Sequence, residues 1–196
     1  MDLLQKPHSD AEEIQYLEVL DRQAKRLKRL TENLVEASKA STGNMAVNLQ
    51  PTSVTELFNQ VSAEYRERLE QGKLELIVSD GSDLTVLADG KLLWRILDNL
   101  LNNVVKYGLS GTRVYLTAHK QADRVNISVK NISREELNIA ADELMERFVR
   151  GDSSRHTEGS GLGLNIARSL TQLQNGEFLL TVDGDLFKAE VLLPAG

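Results

Sequence analysis

The chain has 196 residues, 41% of them apolar, which suits one or two domains with a real core. Its 23 Lys and Arg against 29 Asp and Glu leave a net charge of −6, which argues against a general nucleic-acid binder. The absence of cysteine excludes disulfides and thiolate-held metal, His8, His119 and His156 show no metal-ligand spacing, and no apolar run approaches the roughly 18 residues of a membrane-spanning helix.

Pro7, Pro51 and Pro194 punctuate the sequence. Between the first two, Leu17, Leu20, Ala24, Leu27, Thr31 and Leu34 alternate spacings of three and four, the seam of a coiled coil or bundle, and the pattern ends near Ser41-Thr42-Gly43-Asn44. A helix of this kind cannot bury its stripe alone and is expected to pair with another helix, from a second chain as well. Its basic run (Arg22, Lys25, Arg26, Lys28, Arg29) reads as a solvated face, or as a place to dock an acidic protein.

The character changes after this helix, which sets the expected division into a helical segment over 1–47 and a second unit over 48–196. Ser53-Val54-Thr55-Glu56 is a capping box opening a helix that Gly72 closes. "KLELIVS" alternates as a strand, "TVLA" is a short strand, and Asp89 caps a second helix ending at Tyr107 and Gly108. "TRVYLTAHK" and "RVNISVKN" form a hairpin around Gln121-Ala122-Asp123. A polar segment follows, then a helix after "EGSGLG", then a last hairpin, "EFLLTV" and "LFKAEVLL", turning at Asp183-Gly184-Asp185. The expected fold is α+β, with helices on one face of a mixed, largely antiparallel sheet.

Three stretches can carry chemistry. In "LLWRILDNLLNNVVKYG", the residues Leu93, Ile96, Leu97, Leu100, Leu101 and Val104 make a buried stripe. Asn99 and Asn103, four apart, share one helical face, where they are either buried-side amides that must be bonded or exposed and capping something local. An amide carbonyl is a suitable hard-oxygen ligand for Mg²⁺, and Lys106 offers a point charge to a phosphate. "ELMERFVRGDSSRHTEGSG" is polar and basic around an apolar pair, Phe148 and Val149, and carries Arg147, Arg150 and Arg155; a segment of this length beside a glycine-rich turn reads as a lid. "EGSGLGLNIARSL" sets Gly159, Gly161 and Gly163 at alternate positions before a helix, where close backbone approach and unpaired N–H groups favour an anion.

"LDNLLNNVVKY", "ERFVRGDSSR" and "GSGLGLNIARSL", in this order, resemble the N box, F box and second glycine box of the sensor histidine kinases, which share the Bergerat (GHKL) ATP-binding fold. The resemblance covers about 53–194, and the preceding helix looks like the second helix of that family's dimerisation domain. It implies a two-layer sandwich binding ATP with Mg²⁺, with Asn103 on the metal and Asn99 supporting it. Lys106 and Tyr107 would line the pocket, Arg150 would meet the γ-phosphate, and Phe148 and the run Gly159-Ser160-Gly161-Leu162-Gly163-Leu164 would surround the nucleotide. Asn99, Lys106 and Arg150 would carry phosphoryl transfer to a histidine. A response regulator and a second copy, paired through the N-terminal helix, are the implied partners. No G-x-x-x-x-G-K-[ST] run occurs, so a P-loop site is not expected.

Two departures stand out. The family's first glycine box has an Asp that accepts from the adenine amine; here the strand runs into "VKNISREELN", with Asn131 in that place and no glycines. Asn131 then either accepts one hydrogen bond without charge assistance or only starts a turn. No acidic, helix-borne histidine followed by Thr-Pro or Asn-Pro occurs, so the expectation is a fragment of a membrane-bound parent whose acceptor lies upstream, and which does not phosphorylate itself. Two further readings stay open: a GHKL ATPase, which would need a Glu at position 99 to activate water, and an interaction module with a degraded nucleotide site.

Overall fold

The computed structural model describes residues 10–41, 45–81, 83–137, 144 and 161–196. Helix α1 (Asp10–Ser41) ends where the seam pattern ends. Its apolar positions Ile14, Leu17, Leu20 and Leu27 remain exposed within the single chain, although α1 passes alongside α4, the helix over Gly163–Leu173.

The elements between are β1 (Gln50–Ser53), α2 (Val54–Gln71), β2 (Glu75–Ser79), β3 (Thr85–Ala88), α3 (Gly90–Tyr107), β4 (Arg113–Gln121) and β5 (Arg124–Ile132). After α4 come β6 (Glu177–Asp183) and β7 (Leu186–Pro194). Ser53 caps α2 by accepting from Glu56 N at 3.3 Å, and Gly72 ends it with its N–H on Arg68 O.

Five strands form one sheet in the order β2-β4-β5-β7-β6; β2 runs parallel to β4 and every other pair is antiparallel. Alternation assigns the faces. Val114, Leu116, Ile127, Val129, Ala189 and Val191 point inward and meet Phe58, Val61, Leu97, Leu101, Ile166 and Leu170 of the helices. Tyr115, Thr117, Ser128 and Lys130 lie on the opposite face, with Thr117 and Ser128 hydroxyls 2.8 Å apart. The α+β expectation holds.

Strand β1 is an addition to the sequence reading. Four residues including Pro51 carry no clear strand pattern, yet β1 pairs with β3 as a separate two-stranded sheet. A proline is tolerated there because β1 is an edge and needs no second donor row. The chain end lies on the other side of β3, with Gly196 N donating to Thr85 O at 3.0 Å.

Candidate functional site

The site is built along α3. Asp89 starts this helix by accepting from Lys91 N (3.0 Å) and Leu92 N (3.3 Å). The six predicted stripe residues, Leu93 to Val104, are all buried, and this rotation leaves Asn99 and Asn103 half-buried along the helix flank. Asn99 Nδ2 donates to Arg95 O at 2.9 Å. Its Oδ1 faces the first turn of α4, where a Cβ added at Gly163 would stand 3.3 Å away.

Gly161 has φ +68, a left-handed conformation that a side chain disfavours. Leu162 follows, buried, at the N-cap position; leucine has no group with which to cap. Ile166 N on Leu162 O (2.9 Å) begins the helical ladder, so the α4 N-terminus opens beside Asn99 with its dipole directed there. Leu164 packs against the core edge.

The C-terminal end of α3 is stitched to the end of β5. Arg134 N donates to Tyr107 O (2.7 Å), Leu109 N donates to Ile132 O (2.9 Å), and Gly108 pairs with Ser133. Gly108 is required there, because a Cβ would meet Val104 O at 2.7 Å. The stitching sets Tyr107 against Arg134 and Gly108 opposite Ser133, two residues beyond Asn131. Asn131 lies within β5 on the core side, 4% exposed, so it does not merely start a turn. Its Nδ2 donates to Ile132 O at 3.0 Å, while its Oδ1 is buried and has no hydrogen-bond partner among the described residues. An unsatisfied buried acceptor costs about 1–3 kcal/mol, and a donor on a ligand would relieve it.

Phe148, Arg150, Gly159 and Ser160 lie outside the described residues, as do His8, His156 and the rest of the expected lid apart from Leu144 and Gly161. Among the described residues no group of three or more His, Cys, Asp or Glu could hold a metal. A divalent ion here would take one amide oxygen and complete its shell with phosphate oxygens and water.

Sequence reasoning missed the group behind the asparagines. Asp98, 9% exposed, accepts from Tyr65 OH (2.6 Å), Asn102 Nδ2 (3.0 Å) and Arg95 Nη1 (2.9 Å). Arg68 closes the group on Asn102 Oδ1 (2.7 Å) and lies over the Tyr65 ring. Burial, then the hydrogen bond to Asp98, raises the Tyr65 hydroxyl far above its ordinary range. The available signal was a carboxylate inside an apolar stripe, which must find partners.

This arrangement is that of an ATP-binding α+β sandwich. The family model for histidine kinase-, DNA gyrase B- and HSP90-like ATPases matches residues 88–194, and the chain belongs to that family. It is similar to the probable sensor protein PcoS of Escherichia coli, at 28% identity over 86% of this chain and 37% of the relative. It is also similar to the sensor histidine kinase HprS of Escherichia coli (strain K12), at 30% identity over 76% of this chain and 32% of the relative. The chain thus spans about a third of the length of these curated relatives. Full-length ShkA in complex with AMPPNP superposes with a TM-score of 0.82 at 25% identity, over 99% of this chain and 41% of ShkA. ThkA in complex with the response regulator TrrA gives a TM-score of 0.73 at 17% identity, over 97% of this chain and 53% of that one, a likeness of fold alone.

Proposed function

We propose that this chain is the ATP-binding catalytic part of a sensor histidine kinase, which transfers the γ-phosphoryl group of Mg-ATP to a histidine for relay to a response regulator. The observation that carries the reading is Asn131 Oδ1, a buried acceptor without a partner among the described residues, at the strand end stitched to α3. In this reading it accepts from the adenine amine, with Lys106 and Tyr107 alongside. The first-turn amides of α4, opened by Gly161 and Gly163, face the phosphates. Asn103 would lend its carbonyl to Mg²⁺ with Asn99 supporting it, Arg150 would meet the γ-phosphate, and Phe148 and the Gly159-Ser160 run would complete the nucleotide's surroundings. Bound Mg²⁺ would neutralise charge on the phosphates.

Asn99 is an amide and cannot act as a base, which favours transfer to a histidine over activation of water. The kinase names of the relatives support the same direction. We assign 1–47 to a partial dimerisation segment and 48–196 to the catalytic unit. The exposed leucines of α1 support pairing with a second copy. A response regulator is the proposed downstream partner, as seen bound to the structural neighbour ThkA. Among the described residues no helix is long and apolar enough to cross a membrane; attachment of the parent protein to a membrane is part of the proposal. The test is calorimetric titration with AMPPNP, with and without Mg²⁺. Tight Mg²⁺-dependent binding is expected, and no binding in either condition would refute the reading.

A further inference from the structure

Gln174 stands at the far end of α4 from the glycines, and it is fully buried. A buried amide is costly unless all its groups are used. Here its Nε2 donates to Leu170 O at 3.0 Å, and its Oε1 accepts from Asp89 N at 2.8 Å. The two contacts demand opposite chemistry, so the amide has one orientation. Asp89 is the N-cap of α3, and its second carboxylate oxygen accepts from Asn48 N at 3.0 Å. One chain of hydrogen bonds therefore runs from the segment preceding β1, through the start of α3, to the end of α4.

The helix α4 packs against α3, and each end of α4 meets a named α3 residue or its cap. At one end Gly163 abuts Asn99; at the other, Gln174 holds Asp89. The two ends of α4 are about 16 Å apart, from 11 residues at about 1.5 Å each. Apolar contacts between helices tolerate sliding, whereas a directional hydrogen bond to a fully buried side chain does not. The end of α4 is also wedged against β7, because a Cβ at Gly176 would meet Leu192 O at 2.7 Å.

We infer that Gln174 is a positioning residue: it sets the axial placement of α4 on α3, and so the distance from the glycine turn to Asn99, and through Asp89 it ties that placement to the segment at Asn48. This rests on the nucleotide reading above only for its consequence, that phosphate affinity depends on Gln174 while base affinity does not. Asn131, on β5, takes no part in the chain.

The test compares the parent chain with Gln174→Met, which keeps the volume and removes both hydrogen bonds. In nucleotide-free spectra the Gly163 amide and the Asn99 side-chain amide should shift while Asn131 stays in place; unshifted signals at Gly163 and Asn99 would overturn the positioning role whatever the ligand. In titrations, AMPPNP affinity should fall about tenfold while adenosine affinity stays within about twofold. Equal losses for both ligands, as a merely structural role would produce, would overturn it too. Should the variant not fold, the parent suffices: AMPPNP, but not adenosine, should slow exchange of the Asp89 and Asn48 amide protons, and unchanged exchange sinks the coupling. A parent that binds neither ligand refutes the nucleotide reading, and the nucleotide-free spectra still decide the placement of α4.

Discussion

Asn131→Ala separates a binding role from a packing role. In the free protein the substitution removes one acceptor that no described residue satisfies and one donor, Nδ2, on Ile132 O. Ile132 O keeps its other partner, Leu109 N at 2.9 Å. Losing the neutral hydrogen bond costs about 0.5–1.5 kcal/mol, and removing the unsatisfied acceptor returns an amount of the same order. Apo stability should therefore move by less than about 1 kcal/mol, a Tm shift of only about 2–4 °C. Bound nucleotide loses one neutral hydrogen bond to the base, about three- to tenfold in Kd. The loss should be the same for ATP and ADP, because both carry the same adenine. Isothermal titration with the two nucleotides, beside a melting curve of the apo protein, reads both quantities. A variant weakened toward ATP alone, or one that melts far lower with unchanged affinity, would refute the assignment of Asn131 to the base.

Asn103→Ala should abolish most of the Mg²⁺-dependent increment in AMPPNP binding with little change in apo Tm, which titration in the presence of Mg²⁺ or of chelator checks. Tyr65→Phe removes a buried hydroxyl donor to a carboxylate, at a cost of about 1.5–3 kcal/mol in denaturant unfolding at neutral pH. Because the folded state raises the Tyr65 hydroxyl above its ordinary value, that stability is fully present below about pH 10 and is lost as pH rises further. The gap between parent and Tyr65→Phe should accordingly narrow in alkali, and a gap that widens would contradict the sign. Labelled ATP and Mg²⁺ should leave no acid-labile label on the 196-residue chain, because none of His8, His119 and His156 sits in an acidic helix-borne box that could align with a γ-phosphate; labelling abolished by His8→Ala would show the acceptor misassigned.

The sequence by itself determined the parts whose causes are local. The stripe from Leu93 to Val104 buries as its spacing requires, because helical period and apolar side chains suffice for that outcome. Ser53 and Asp89 cap their helices because the capping oxygen needs only the next turn's N–H groups. The hairpins turn at 122–123 and 184–185, within the stretches read as turns, and the order of the motifs was enough to suggest the family to which the chain belongs.

Tertiary structure decided whatever depends on a partner distant in the chain. Asn131 could have opened a turn; its burial in β5 follows from pairing with β7 and from the stitches to the end of α3. Strand β1 exists because β3 offers it a ladder, not because its four residues favour extension. Asp98 finds Tyr65 across 33 positions, and Gln174 finds Asp89 across 85. A buried polar side chain announces in sequence only that it must be satisfied, and the packed fold alone selects which donor or acceptor arrives.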